Sequence, residues 1–180
     1  MNYKNYFIAL IATIFMAACN APTEQQEQTA KAEPAATAQV EFKDFGPEPF
    51  VFDIEAYTIQ NETYRTSIWT GNYMQMTVMS IPAGGDIGLE MHPDIDQFLR
   101  VEAGTGIMMM GDSEDNLDFQ ARVEDDYAIF IPAGKWHNLV NDSDEPLKVY
   151  SIYSPQEHPH STVHQTQAEG IAAHEAEHGH

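Results

Sequence analysis

The sequence predicts an all-β fold in which many short strands close into a barrel or jelly roll. Between residues 41 and 155, short segments rich in β-branched, aromatic and Met residues recur, and several alternate between apolar and polar residues with a period of two. Turn-forming Gly, Pro, Asn and Asp residues separate these segments, and no stretch keeps helical periodicity for as long as three turns. Many short, regularly spaced strands are typical of antiparallel barrels and jelly rolls.

The predicted strands follow one another along the chain. In order they are PFVFDI (49–54), RTSIWT (65–70), YMQMTVMSI (73–81), DQFLRVEAG (96–104), GIMMMG (106–111), LDFQARV (117–123), YAIFIP (127–132) and LKVYSIY (147–153). A further, returning strand begins at His137, directly after the tight turn formed by residues 132–134.

The N-terminal residues are predicted to form a targeting segment that precedes the domain. Lys4 supplies a positive charge, and the apolar run at 7–15 is shorter than the roughly 20 residues that span a bilayer. The small pair Ala17-Ala18 then precedes Cys19, the only cysteine of the chain. This pattern resembles a bacterial lipoprotein signal, which implies that Cys19 is lipidated and becomes the mature N-terminus. A plain secretory signal followed by a stray cysteine is the alternative.

The chain divides into four predicted parts. Residues 1–19 are the signal peptide, and residues 20–40, with no large apolar residue before Val40, form a disordered linker. A single barrel covers residues 41–157, and a His-rich polar tail covers residues 158–180. This organisation predicts a membrane-anchored lipoprotein on the non-cytoplasmic side, in the periplasm or at the outer membrane.

The tail carries six of the eight histidines of the chain. Residues 166–178 are predicted to form a short, frayed helix. Three interpretations of the tail histidines stay open: loose capture of metal, a disordered polar end, or closure of His158 and His164 over the barrel.

The composition is strongly acidic, with 28 Asp and Glu against 8 Lys and Arg and a formal net charge of −20. Nucleic acids and anionic lipid surfaces attract basic proteins, so this charge argues against both as electrostatic partners. The expected partners are a small-molecule ligand or substrate and, through the lipid anchor, a bacterial membrane. A homodimer stays open.

The stretch GLEMHPDIDQF at residues 88–98 places an acid, an imidazole and an amide close together. Glu90 and His92 are two residues apart and share a face if this stretch is a strand. Gln97 begins the next strand after the turn PDID, and a closed barrel can bring His137 across from His92. The arrangement is either a metal site or a polar strand end beside a turn.

The same stretch resembles the first motif of the cupin superfamily. That motif contains a glycine, a His-x-His pair, a glutamate and a second glycine. The matching positions are Gly84, Glu90, His92, Gln97 and Gly104, and the spacing fits throughout. Two residue types depart from the motif, because Glu90 replaces its first histidine and Gln97 replaces its glutamate.

DDYAIFIPAGKWHNLVN resembles the second cupin motif, which contains a glycine, Pro-x-Gly, a histidine and an asparagine. The matching positions are Asp126, Pro132, Gly134, His137 and Asn141. Only the opening glycine is changed, and Asp tolerates turn geometry nearly as well. The two motifs together imply a single cupin barrel.

The resemblance implies that Glu90, His92, Gln97 and His137 hold one divalent metal ion, which could be Fe, Mn, Zn or Ni. Two imidazoles and one carboxylate agree with this, because they form a triad that leaves open positions on such ions. Gln97 is either a fourth, weak ligand or a residue that orients Glu90. Since an imidazole must lose its proton to bind, metal binding is expected to fade as the pH falls through about 6.

The closing segment YSIYSPQEHPHSTVH resembles that of small single-domain bacterial cupins loosely labelled as sugar-isomerase-like. This implies a metal-dependent enzyme, isomerase-like or dioxygenase-like, that acts on a small polar substrate such as a sugar or sugar acid. The alternatives are a non-catalytic module that binds a small ligand or metal, and a structural protein that keeps only the fold. A general base beside the metal, such as Tyr64, Tyr150, Tyr153 or a tail histidine, would favour the enzyme. The sequence assigns no catalytic residue.

Overall fold

The computed structural model of this chain describes residues 39–178. The predicted signal peptide at 1–19, with the lipidation site Cys19, and residues 20–38 of the predicted linker lie outside the described residues. The described part consists mainly of antiparallel strands, which confirms the predicted all-β cupin jelly-roll fold class.

Every predicted strand from residue 65 onward is a strand in the structure. The strands are β1 (Arg65–Thr70), β2 (Gln75–Ile81), β3 (Asp96–Ala103), β4 (Thr105–Gly111), β5 (Phe119–Glu124), β6 (Ala128–Ile131), β7 (Trp136–Val140), β8 (Leu147–Ser154) and β9 (Val163–His164). The helices of the described part are α1 (Ile54–Gln60) and α2 (Gln167–His178). Neither of these helices has the length and apolar character that crossing a membrane requires.

Two antiparallel sheets enclose the core. One has six strands in the order β6-β3-β8-β2-β1-β9, and the other has three in the order β5-β4-β7. The chain between β2 and β3 runs beside β7, with single bridges from Asp86 to Val140 and from Glu90 to His137. Alternate strand residues point inward and are almost completely buried between the sheets: Met79, Ile81, Leu99, Val101, Met108, Leu139, Leu147 and Val149.

The segment PFVFDI is not a strand, so that prediction is wrong. Asp53 caps the N-terminus of α1 and accepts a hydrogen bond from a first-turn amide at 3.0 Å. The alternating aromatic residues pack on one another, because Phe50 stacks on Phe52 with ring centroids 4.8 Å apart and both rings contact Tyr57 edge-on. The alternation therefore marks an aromatic cluster rather than one face of a sheet.

The chain after β8 packs on the barrel. His158 is buried, and β9 pairs with β1 through Arg65 and His164. The side chain of Gln167, at the start of α2, donates to the backbone carbonyl of Asp86 at 3.0 Å. The segment predicted to be a polar tail thus lies over the barrel, and closure by His158 and His164 is the interpretation that the structure shows.

Candidate metal centre

β7 holds His137 with one ring nitrogen fixed. The side chain is fully buried, and its Nδ1 lies 2.9 Å from the backbone carbonyl of Lys135. Because a carbonyl can only accept, Nδ1 donates, which fixes the tautomer and leaves the lone pair of Nε2 available. A ring oriented in this way is typical of metal-binding histidines.

Glu90 reaches the same point because its backbone pairs with β7. The amide of Glu90 donates to the carbonyl of His137 at 3.1 Å, and the amide of His137 donates to the carbonyl of Glu90 at 2.9 Å. Residues paired in this way carry their side chains on the same face. Glu90 Oε1 consequently lies 3.4 Å from His137 Nε2.

His92 completes the group through a contact between the two motifs. Its carbonyl accepts a hydrogen bond from the amide of Gly134 at 2.7 Å. Its Nε2 lies 3.6 Å from Glu90 Oε1, and its Nδ1 lies 3.4 Å from Glu157 Oε1. The rings of His92 and His137 are 5.5 Å apart, which confirms that the barrel brings these two histidines together.

Three donor atoms converge at this point. Glu90 Oε1, His92 Nε2 and His137 Nε2 lie within 4.8 Å of one another, and none has a hydrogen-bond partner among the described residues. Buried polar atoms without partners are rare and need an explanation. Atoms bound at about 2.1 Å to one metal ion lie about 3.0–3.5 Å apart. The distances from Glu90 Oε1 to the two imidazoles, 3.4 Å and 3.6 Å, are close to these values, and the donor types are those that could hold a divalent metal ion.

Gln97 is buried on β3 and points toward the same part of the barrel. Its Nε2 donates to Ser151 Oγ at 2.9 Å, whereas its Oε1 is buried without a partner among residues 39–178. Gln97 pairs across strands with Tyr153, whose ring lies 5.9 Å from the ring of His92. The hydrogen bond to Ser151 thus orients the amide of Gln97 and leaves its Oε1 without a partner among these residues. The role of Gln97 as a fourth ligand stays a prediction.

Sequence reasoning missed two charged groups beside the donors. Glu157, with a side chain only 4% exposed, lies against His92 and is placed to orient that imidazole. Arg65, which is 3% exposed, lies on β1 and lines a cavity together with Glu90. The Glu-His pair shortly after β8, and the lone arginine in an otherwise uncharged strand, are the sequence signals that could have identified them.

The buried charges shift one another's pKa values. Burial acts to raise the pKa of Glu90, but contacts with His137, His92 and Arg65 outweigh it and hold this pKa well below its ordinary value. Burial acts to lower the pKa of His92, but contacts with Glu157 and Glu90 outweigh it and raise this pKa to about 9. Without metal, His92 is therefore protonated at neutral pH.

The three tyrosines considered as bases lie in different places. Tyr153 lies beside His92. Tyr64 lines the cavity beside Glu90, and its hydroxyl donates to the carbonyl of Ile87 at 2.7 Å. Tyr150 belongs to the apolar cluster that contains the α1 aromatics, so it does not face the donors.

In the described part of the chain, Glu90, His92 and His137 are the only group of three or more His, Cys, Asp or Glu side chains that could hold a metal ion. The tail histidines therefore form no metal cluster of their own there. The ring centroids of His158 and Tyr153 are 5.1 Å apart, and those of His158 and His164 are 6.4 Å apart. The side chains of residues 178 and 180 lie outside the description.

Comparisons with known proteins agree with this geometry. Residues 77–153 match the family profile described as Cupin domain. The Bacillus subtilis (strain 168) protein YrkC is 56% identical over 131 residues, which cover 73% of this chain and 70% of YrkC. Protein L612 of Acanthamoeba polyphaga mimivirus is 40% identical over 111 residues, which cover 61% of this chain and 68% of L612.

A solved structure shows the same fold at high identity. The crystal structure of BH2720 from Bacillus halodurans, at 1.41 Å resolution, is 57% identical and superposes with a TM-score of 0.72. The match covers 73% of this chain and 99% of that chain. With the family profile, these relatives and both motifs in agreement, the chain belongs to the cupin superfamily.

Proposed function

We propose that this chain is a metal-dependent cupin enzyme that acts on a small polar substrate, such as a sugar or sugar acid, by isomerase-like or dioxygenase-like chemistry. One observation carries the proposal. The donor atoms of Glu90, His92 and His137 converge, buried and without a hydrogen-bond partner in the described part, and Glu90 borders a cavity of about 240 Å³.

Glu90, His92 and His137 would hold the ion, with Gln97 as the proposed fourth ligand. Two imidazoles and one carboxylate leave open positions on Fe(II), Mn(II), Ni(II) or Zn(II). When bound, such an ion would supply Lewis-acid polarisation of a substrate carbonyl or hydroxyl, and iron would add oxygenation chemistry.

Groups that can handle protons support catalysis over simple binding. Tyr153 lies against both His92 and His158. Burial raises the pKa of Tyr153 to about 12, so its hydroxyl keeps its proton at neutral pH and can donate it. Burial and, second, the charge of Arg65 lower the pKa of His158 to about 2, so this imidazole is neutral and can accept a hydrogen bond.

The first test is the metal content of the purified full chain and its variants. His92→Ala and His137→Ala should abolish stoichiometric metal, because each removes an imidazole donor. Glu90→Ala should weaken binding strongly, since it removes the carboxylate of the triad, and Gln97→Ala should weaken it least. Elemental analysis after dialysis measures the content and identifies the ion.

His160→Ala is the matched control, because it removes an imidazole that is 51% exposed and bonded to the carbonyl of Gly46. It should leave the metal content unchanged. If the parent held no metal, or if His137→Ala held as much as the parent, the proposed site would be wrong.

Turnover separates the enzyme from the binding module. The metal-loaded chain is incubated with a panel of sugars and sugar acids, and products are followed by mass spectrometry and NMR. Tyr153→Phe should lower turnover at unchanged metal content, because it removes only the hydroxyl. A chain that held metal and bound these compounds without converting any of them would be a non-catalytic module.

We also propose that the lipid anchor at Cys19 holds the protein at a bacterial membrane, facing away from the cytoplasm. The support is the sequence pattern alone: a positive start, a short apolar run and two alanines before the single cysteine. A homodimer is likewise a prediction, which sedimentation equilibrium in detergent would check.

A further inference from the structure

A cavity lies between α2 and the barrel, beside the candidate metal centre. Its volume is about 240 Å³. Its lining includes Tyr64, Arg65, Glu90, Gly170, His174 and Glu175. Pockets for drug-sized ligands usually measure roughly 300–1,000 Å³, so this one suits a molecule of only a few heavy atoms. Glu90 belongs both to the cavity wall and to the donor set, so a ligand in the cavity would lie beside this carboxylate, whereas His92 and His137 do not line the cavity.

Arg65 brings a buried positive charge to this cavity. The residue is 3% exposed, its Nε has no hydrogen-bond partner in residues 39–178, and its Cζ lies 5.3 Å from the centre of the Tyr64 ring. The neighbouring carboxylates Glu90 and Glu157 contact histidines, and their charges also act on Arg65. A buried guanidinium is costly unless its donors are used, and its planar fork matches a carboxylate.

We propose that Arg65 binds the carboxylate of a small monocarboxylic acid held in this cavity. The inference deepens the proposed function and rests on it, since it narrows the substrate class from small polar molecules to small acids. Arg65 is a specificity residue in this proposal, because it distinguishes a carboxylate from a neutral group of the same shape.

The test compares glycolate with glycolamide, its neutral counterpart, on the full chain loaded with Co²⁺. The visible spectrum of the cobalt reports binding in each titration. Glycolate should half-saturate at a concentration at least about tenfold lower than glycolamide, because a charge-assisted bond to arginine strengthens binding by about this factor. Arg65→Met should raise the half-saturating concentration of glycolate about tenfold and leave the half-saturating concentration of glycolamide unchanged. Arg65→Lys should give an intermediate half-saturating concentration of glycolate.

Arg122→Met is the matched control, because the side chain of Arg122 is 62% exposed on β5 and pairs with Asp142. Its half-saturating concentrations of glycolate and glycolamide should equal those of the parent. Equal binding of glycolate and glycolamide by the parent would overturn the inference, even if Arg65→Met failed to fold. Cobalt content is measured on the same samples: cobalt bound without any preference for the acid refutes the inference alone, whereas no bound cobalt refutes the proposed function as well.

Discussion

His92 is the residue whose ionisation links the metal-free and metal-loaded forms of the centre. Its Nδ1 lies 3.4 Å from Glu157 and its Nε2 lies 3.6 Å from Glu90. Burial opposes its charge, but these carboxylates raise its pKa to about 9. A raised histidine pKa stabilises the metal-free fold below the ordinary pKa, and this contribution is lost as the pH rises through about 9.

Metal binding should therefore release a proton from His92 well above the ordinary histidine range. Between about pH 7 and 9 the apparent affinity should rise about tenfold per pH unit, because each ion displaces one proton from this ring. The pH below which binding weakens thus moves from the value of about 6, predicted from an unperturbed imidazole, to about 9. Calorimetric titration with Ni²⁺ in buffers of different ionisation enthalpy measures both the affinity and the protons released.

Glu157→Gln is the informative variant for this linkage. It replaces the carboxylate that contacts His92 Nδ1 with a neutral amide. The pH above which the metal affinity stops rising should therefore be lower than in the parent. If the affinity of the parent did not change between about pH 7 and 9, the proposed coupling between His92 and the two carboxylates would be wrong.

At the scale of elements, α2 depends on a close contact with the barrel at Gly170. A Cβ atom added there would lie 2.7 Å from Cε1 of the Tyr64 ring. That ring is buried, and its hydroxyl donates to the carbonyl of Ile87, so it has little freedom to move. Glycine within a helix normally costs about 1 kcal/mol relative to alanine, and the close approach to Tyr64 explains its presence here.

Gly170→Ala should therefore loosen α2 instead of stabilising it. Overpacking costs about 1–3 kcal/mol, against a gain of about 1 kcal/mol in helix propensity, so we expect a net loss of about 1 kcal/mol. Thermal unfolding measures the stability, and hydrogen exchange should show faster exchange along α2.

The same substitution in a Tyr64→Leu background is its control. The smaller side chain leaves room for the added methyl group, so Gly170→Ala should stabilise that variant, and the difference between the backgrounds measures the contact. Stabilisation in both backgrounds would show that α2 does not depend on its approach to Tyr64.

At the scale of the whole molecule, the acidic charge makes the proposed anchor at Cys19 testable. A net charge of −20 repels anionic lipid headgroups, so membrane attachment should depend on the acyl chains. Two or more chains suffice for stable anchoring, whereas one binds only marginally. Cys19→Ser should move the protein from the membrane fraction to the soluble fraction of a bacterial host.

Thr23→Ser is the control for this experiment, because it introduces the same residue a few positions away without removing the cysteine. It should leave the distribution unchanged, and mass spectrometry of the parent should detect lipid on Cys19. If Cys19→Ser stayed equally in the membrane fraction, the anchor would be refuted.

Local sequence patterns determined the strands and most of the donor set. The period of two is a property of a single strand, so β1 to β8 could be predicted without knowledge of their neighbours. The motif spacings also reflect local geometry. Asp126, which replaces a glycine, has a φ of 71°, and its side chain type tolerates this conformation. The resemblance to the two cupin motifs implied Glu90, His92, Gln97 and His137, and the barrel brings Glu90, His92 and His137 together.

Only the tertiary structure decided which other groups surround these donors. Glu157 follows β8 and Arg65 lies on β1, and the order β8-β2-β1 in one sheet brings both to the donors. Likewise, an aromatic cluster that includes Phe50 and Tyr57 holds the alternating segment PFVFDI as irregular chain that leads into α1, although its alternation resembles that of a strand. Strand order, side-chain packing and the burial that shifts a pKa depend on contacts between residues far apart in the chain. A pattern within one segment does not contain those contacts, and so the sequence determined the donors whereas the fold determined their charge environment.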